Sequence, residues 1–293
     1  MPVGPPLLSA TVVVAALTLT LLAPRLLPRW TSLRQMPGAG LLLWQSVSIT
    51  GVLCALLAAP VTALSTGLDQ PLLLGVAVAL SALMLARLLV SGHTVGTDLR
   101  RRRARHRELI DLVGERLQDT PASSGTTPPG YAHPPVAVVA QGNPTAYCLP
   151  GAGDRIVLTQ AALDRLGPPE LTAVLEHEQA HLDQRHDLLL ELFTVLHEAV
   201  PRGLRVPAAL AEVHLLAEAL ADRVAEQRTA PTDLARALVA MATGAPAQVT
   251  TRVRLLATPP APRHTRALVT LLAVLLLALP AALAVGVLVL DRG

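Results

Sequence analysis

Lysine is absent from this chain, and cysteine is scarce. All 24 basic residues are arginines. This bias, with abundant alanine, leucine, proline and glycine, is typical of a GC-rich genome, so we expect a bacterial protein. The two cysteines, Cys54 and Cys148, lie far apart and form no C-x-x-C pair. The sequence therefore argues against a disulfide framework and favours a reducing compartment.

Charge is missing from four long stretches. The runs 7–23, 40–61 and 268–290 contain no charged residue, and the run 71–90 contains only Arg87. Each run is close to the ~20 residues that cross a bilayer. The first run lacks the basic start and the clear cleavage site of a signal peptide, so we interpret it as a span. Four transmembrane helices are predicted.

Arginines flank these runs on one side of the membrane. The loop after the second run carries only Asp69, whereas arginines follow the first and third runs and precede the fourth: Arg25, Arg29, Arg34, Arg100, Arg101, Arg102, Arg103, Arg105, Arg107, Arg252, Arg254, Arg263 and Arg266. The positive-inside rule then places the N-terminus outside and the segment between the third and fourth runs in the cytoplasm.

These flanks predict a multi-pass plasma-membrane protein. Residues 1–92 hold three spans, 93–266 form a cytoplasmic domain, and 267–293 hold the fourth span and a short tail. A nucleic-acid patch is a competing interpretation of the arginines at 100–107. Because they follow a span directly, we favour membrane lipids as their partners and expect no nucleic acid.

The sequence H-E-x-x-H occurs once, at 177–181. On a helix, His177 and His181 lie one turn apart on one face and can bind one zinc ion, with Glu178 beside them as general base. Helix signals surround the motif: Pro168 and Pro169 suit a first turn, apolar residues follow a helical period, and Pro201 marks the end.

A two-histidine zinc site needs a third protein ligand. A second helix, expected from about 207 to 227, carries His214, Glu218 and Asp222 on one face. Helix and loop lengths allow Glu218 to return level with His181, so Glu218 is the best third ligand and His214 its rival. Asp222 can accept a hydrogen bond from a ligand histidine. His186 and His197 match no ligand spacing, and we expect structural or surface roles for them.

Three short strands are predicted before the metal helix, at 136–140, 147–149 and 155–159. The segments around Tyr147 and Ile156 could hold an extended peptide by strand addition, or they could form a plain packing hairpin. A loop is expected at 119–130, a helix at 98–118, and a further helix at 231–241.

The motif at 174–181, followed by Glu218-x-x-x-Asp222, resembles the gluzincin-type membrane metallopeptidases. Two branches share this pattern: the BlaR/MecR antirepressors and the HtpX and CAAX prenyl proteases. Three spans before the domain and one after it look more like the BlaR/MecR branch. The resemblance implies His177, His181 and Glu218 as ligands of one zinc per chain, Glu178 as catalytic base, and Asp222 as hydrogen-bond partner of a ligand.

The resemblance implies a mainly α membrane protein, with a cytoplasmic α+β zincin-like metallopeptidase domain inserted between the third and fourth transmembrane helices. The expected activity is cleavage of a cytoplasmic or membrane-proximal protein, such as a transcriptional repressor. The penicillin-binding sensor that follows the last span in BlaR/MecR proteins has no counterpart before Gly293, so direct β-lactam sensing is not expected. The alternatives are an HtpX-like quality-control protease and a non-catalytic membrane sensor or scaffold.

Overall fold

The computed structural model describes residues 5–66, 68–113, 115–116, 134–140, 142–151, 153–242 and 246–290. These residues are mostly helical, with one small sheet. They cluster into two compact units, the first formed by Met1–Gly96, Leu192–His214 and Ala261–Gly293, the second by Thr97–Glu191 and Leu215–Pro260. The domain boundaries predicted at 92 and 266 remain predictions. The loop predicted at 119–130 and the tail after 290 lie outside the described residues.

The secondary structure follows the chain in a simple order. The helices are α1 (Pro5–Leu17), α2 (Ala23–Leu26), α3 (Pro37–Thr66), α4 (Pro71–Val113), α5 (Gln160–Leu163), α6 (Pro168–Asp183), α7 (His186–Ala199), α8 (Pro207–Ala225), α9 (Pro231–Ala240), α10 (Pro246–Leu256) and α11 (Arg263–Leu290). The strands are β1 (Glu115–Arg116), β2 (Val136–Val139), β3 (Ala146–Leu149) and β4 (Arg155–Thr159).

Four helical segments in the described part of the chain are long and apolar enough to cross a membrane: Leu7–Arg29, Pro37–Thr66, Pro71–Leu112 and Arg263–Val287. They contain the apolar runs 7–23, 40–61 and 71–90 and overlap most of the run 268–290. In the first unit α3 packs against α1 and α11. Small buried residues on α3, such as Cys54, Ala55 and Ala58, permit this close approach.

Two arginine side chains bind the C-terminal end of α7 in the first unit. Arg87 and Arg205 both donate to the carbonyl oxygens of Glu198 and Val200, where α7 ends. The last carbonyls of a helix have no partner within it, so these guanidinium groups act as a cap.

Arg34 forms a second arginine contact in this unit, a two-point ion pair with Glu212. Nε and Nη2 of Arg34 donate to the two carboxylate oxygens of Glu212 at 2.8 and 2.7 Å. Because Glu212 is buried, this two-point ion pair fixes the first half of α8 within the unit.

The second unit is built on a sheet with the order β1-β2-β4-β3. β4 is central: it pairs parallel with β2 and antiparallel with β3, and Ile156 lies opposite Val136 and Cys148. Among the described residues no strand pairs with the outer edge of β3. An unpaired strand edge presents backbone N–H and C=O groups that can pair with a further strand.

The metal helix α6 covers the sheet. Leu171, Val174 and Leu175 pack on Ile156 and Leu158, and all five are almost completely buried. Pro168 and Pro169 occupy the first turn of α6, and Glu170 adds an acid there, as the sequence predicts. This packing fixes the face of α6 that carries the two histidines.

The predicted continuous helix from 168 to 201 is wrong. The chain turns at Arg185, whose φ of 51° is left-handed, and α7 begins at His186. A left-handed residue ends a helix because the N–H groups after it no longer point at the carbonyl oxygens four residues earlier.

The helix predicted to 118 also ends earlier, since residues 115–116 form β1. Helix α10 was not predicted, because its sequence was interpreted only as an arginine-bearing flank.

Candidate metal centre

Helix α6 presents two imidazoles to one point. Nε2 of His177 and Nε2 of His181 lie 3.1 Å apart, as the spacing of four residues predicts. His177 is buried and His181 is largely so. Glu178 is buried beside them. The structure thus brings together the three residues of the motif that the sequence singled out.

Glu218 on α8 completes a three-residue cluster. Its Oε2 lies 3.4 Å from Nε2 of His177, and its Oε1 lies 3.4 Å from Nε2 of His181. Zinc binds nitrogen and carboxylate oxygen at ~2.0–2.2 Å, which separates two ligands of a tetrahedral ion by about 3.4 Å. The two histidines and Glu218 form the one candidate metal-binding group found among the described residues. The donor set and its spacing therefore fit zinc.

Asp222, one turn beyond Glu218, is buried behind His177. Nδ1 of His177 lies 3.0 Å from Oδ1 of Asp222, so the ring donates there and leaves Nε2 facing Glu218. Burial opposes protonation of this imidazole. The carboxylates of Asp222 and Glu218 outweigh burial and raise the pKa of His177 to about 10. Burial alone would raise the pKa of the Glu218 and Asp222 carboxyls. The hydrogen bond and positive charge of His177 instead lower the pKa of Glu218, and the hydrogen bond from Arg252 is the main cause that lowers the pKa of Asp222.

Arg252 on α10 is a residue of the site that sequence analysis missed. Its Nε and Nη2 donate to the two oxygens of Asp222, and its Nη1 lies 2.8 Å from Oε2 of Glu218. It also lies against the ring of His177. Because the sequence offered no helix at 246–256, Arg252 was assigned to the membrane flank alone. Arg252 and Asp222 do not form a known sequence motif, so nothing in the sequence indicated that Arg252 belongs to the site.

His186 is a second missed residue. It is buried, and its Nδ1 lies 2.7 Å from Nδ1 of His181, so of the two roles expected for it the structural one fits and the surface one does not. One of these nitrogens donates to the other, which orients the His181 ring and leaves its Nε2 toward Glu218. Burial lowers the pKa of His186 to about 4 and, with the positive charge of His177, lowers the pKa of His181 to about 3.

Glu178 occupies a desolvated position. Burial raises its pKa, an effect that the charge of His177 and, less strongly, the backbone N–H of Cys148 oppose. The Cys148 thiol is itself far from reactive, because burial and the nearby Glu178 raise its pKa to about 12. The thiol is therefore protonated at neutral pH, and Glu178 is the better candidate for proton transfer.

These side chains line a cavity with about 1130 Å³ of empty space. Strand β3 forms one wall, including Tyr147, whose Oη lies 2.9 Å from Nε2 of His106. Ile156, the other segment considered for peptide binding, is fully buried on the central strand. Strand β4 is paired along both edges, so of the two segments only β3 has an edge to offer a peptide, and a substrate contact near Ile156 remains a prediction.

The remaining candidate histidines fall in the first unit. His214 is exposed on α8 and does not belong to the donor cluster found among the described residues. His197 lines a different cavity, within the first unit. The structure therefore groups Glu218, and not His214, with the two histidines of the motif.

Residues 113–201 match the sequence profile of Peptidase family M48. The matched segment contains His177, Glu178, His181 and His186, and it stops before Glu218, Asp222 and Arg252. No curated protein and no solved structure gives a significant match to the chain. The match supports a peptidase of this family, a class whose members are generally zinc metallopeptidases.

Proposed function

We propose that this chain is an integral-membrane zinc endopeptidase. The observation that carries the proposal is the tetrahedral spacing of Nε2 of His177, Nε2 of His181 and the Glu218 carboxylate, with Glu178 buried beside them. Zinc held by these three residues would polarise a peptide carbonyl and make a water more acidic. The match of 113–201 to a peptidase family supports the same activity.

Glu178 is the residue that moves the proton. As a carboxylate it accepts a proton from the attacking water while the water oxygen bonds to the scissile carbon. The carbon–nitrogen bond then breaks, and Glu178 delivers the proton to the leaving amine. Burial raises the pKa of Glu178, which suits a group that must hold this proton between the two steps.

Strand β3 is the element suited to hold the substrate. Thr159 donates to the carbonyl of Thr145, which starts the ladder between β4 and β3. Backbone groups alternate in direction along an antiparallel strand, so Ala146 and Cys148 direct theirs away from β4. The N–H of Cys148 acts on Glu178, whose pKa it lowers, so Ala146 is the residue that we assign to pair with an extended peptide. The favoured substrate is therefore an extended segment of a protein chain.

The physiological substrate that we propose is a regulatory protein cleaved near the cytoplasmic face, as the BlaR/MecR resemblance implies. A quality-control protease of the HtpX kind is the alternative. Substrate breadth separates them: one cleaved repressor supports the first proposal, and many damaged membrane proteins support the second.

The test of the activity is a comparison of wild-type protein with Glu178→Gln. Each is reconstituted in nanodiscs with zinc and mixed with a proteome-derived peptide library, and cleavage sites are identified by mass spectrometry. We expect cleavage by the wild type that falls by at least ~100-fold in Glu178→Gln, the usual contribution of a general base. Zinc content should be unchanged. Full cleavage by Glu178→Gln, or cleavage that persists after zinc is stripped, would refute the proposal.

A further inference from the structure

A second cavity lies within the first unit, and none of its wall residues belongs to the metal centre. Its walls come from the end of the first apolar segment, from α3, and from residues 193–213. It is partly open, and its empty space of about 620 Å³ includes space open to solvent at its mouth.

Two polar side chains in the wall of this cavity have no partner among the described residues. Nε1 of Trp44 and Oγ1 of Thr20 are both buried, and neither makes a hydrogen bond. Trp44 is only 2% exposed, so bulk water does not solvate its N–H. Buried donors in proteins are nearly always paired, which indicates that something else accepts from Trp44.

The backbone beside Thr20 is also unusual. Residues Thr18–Leu22 form a π-helical turn between α1 and α2. Such turns are rare and occur often at functional sites. The turn approaches α3 closely, because a Cβ at Gly51 would lie 3.0 Å from Oγ1 of Thr20 and 3.1 Å from Cβ of Leu19. Glycine at 51 therefore allows Thr20 to reach the cavity wall.

The rest of the lining selects the chemistry of a ligand. It is mostly apolar, with Val52, Phe193, Leu196 and Val213 among the wall residues. At the rim, the exposed Arg25 donates to the carbonyl of Leu204, itself a wall residue. A ligand that fits has an apolar chain, a hydrogen-bond acceptor near its end, and a negative charge beyond it.

We propose that this cavity binds one acyl chain of an anionic membrane phospholipid. The ester carbonyl accepts hydrogen bonds from Nε1 of Trp44 and Oγ1 of Thr20, and the phosphate lies toward Arg25. A phospholipid is favoured because two of the walls belong to apolar helices long enough to cross a membrane. Arginines at the end of such helices attract anionic headgroups.

The experiment uses Trp44 as its own reporter. The chain has two tryptophans, so Trp30→Phe leaves Trp44 alone, and Trp30 is outside the cavity. Full-length Trp30→Phe protein in detergent is titrated with phosphatidylglycerol whose acyl chains are brominated, because bromine quenches tryptophan fluorescence at contact. We expect saturable quenching at about one lipid per chain, reversed by unbrominated phosphatidylglycerol.

Variants test whether the cavity is the site. Ser48 lines the cavity, so Ser48→Phe on the Trp30→Phe background should fill it and abolish saturable quenching. The matched control is Leu53→Phe, an exposed position on the same helix, which should leave quenching unchanged. Quenching that does not saturate, or that survives Ser48→Phe, would overturn the proposal.

A separate measurement covers the case in which Ser48→Phe does not fold. Trp44→Phe in the otherwise native chain keeps the apolar shape and removes the donor. Native mass spectrometry should detect phosphatidylglycerol bound about tenfold more weakly to it than to wild type, the usual effect of one lost buried hydrogen bond. Equal binding by both proteins would overturn the contact with the ester carbonyl.

Discussion

Arg252 holds Asp222 by two parallel hydrogen bonds, from Nε to Oδ2 at 2.8 Å and from Nη2 to Oδ1 at 2.6 Å. Both side chains are largely buried. Asp222 in turn accepts from Nδ1 of His177, so the arginine fixes the residue that orients a proposed metal ligand. The metal centre thus depends on α10, a helix that contributes no proposed zinc ligand.

Replacing Arg252 should weaken the centre without removing a ligand. Arg252→Gln leaves the buried Asp222 carboxylate with His177 as its remaining partner, so folding stability should fall by less than the ~3–5 kcal/mol that a fully unpaired buried charge costs. Zinc affinity, measured by competition with a chelator, should fall by ~10–100-fold. Arg254→Gln is the control, since Arg254 is exposed on the same helix. Equal zinc affinity in the two variants would contradict the role of Arg252.

His186 should orient His181 as Asp222 orients His177. His186→Leu removes the nitrogen that lies 2.7 Å from Nδ1 of His181, and zinc affinity should fall by ~10–100-fold. His186→Asn restores an acceptor at nearly the same place and should recover most of that loss. If His186→Leu and His186→Asn bind zinc with equal affinity, the contact between His186 and His181 does not support the metal site.

Zinc binding should release a proton. The pKa of His177, which is about 10 without metal, exceeds its unfolded value, so at pH 7.5 the folded imidazole carries a proton that a ligand cannot keep. His181 is already neutral, because its pKa is lowered to about 3. Between pH 7 and 9, zinc affinity should therefore rise with pH.

Calorimetric titration in buffers of different ionisation enthalpy measures this release directly. We expect about one proton per zinc at pH 7.5. The titration is repeated in Glu178→Gln, which excludes a proton from Glu178 itself. Zinc binding to this variant with no proton release would mean that His177 is neutral before the metal arrives.

The outer edge of β3 should bind substrate through its backbone. Ala146→Pro removes the N–H that we assign to the peptide, so KM should rise by about tenfold, the effect of one lost hydrogen bond. Zinc content should be unchanged, since Ala146 contacts no proposed ligand. Ala146→Val is the control, because it keeps the N–H. An unaltered KM in Ala146→Pro would exclude strand addition here.

Local signals in the sequence were sufficient for the four long apolar helices and for the helix that carries His177 and His181. Four apolar runs predicted the long apolar helices, and the proline pair at 168–169 predicted where α6 begins. The spacing of His177 and His181 follows from helical geometry alone. Glu218 was reachable by counting helix and loop lengths, although that estimate assumed a straight helix that the turn at Arg185 interrupts.

The contacts that sequence analysis missed depend on tertiary packing. Arg252 lies 30 residues beyond its partner Asp222, and only the packing of α10 brings them together. His186 approaches His181 because the left-handed Arg185 turns the chain back, and an arginine gives no signal for such a turn. The position of Ile156 on the central strand was not predictable, because strand order decides which strand is at the edge, and periodicity does not reveal strand order.

The central claim is that His177, His181 and Glu218 hold zinc. The most direct test is the metal content of detergent-purified wild-type protein after metal-replete expression, beside Glu218→Ala and His214→Ala. The account predicts about one zinc per chain in the wild type and in His214→Ala, and little or none in Glu218→Ala. A wild type without metal, or a Glu218→Ala protein that retains its zinc undiminished, would contradict it.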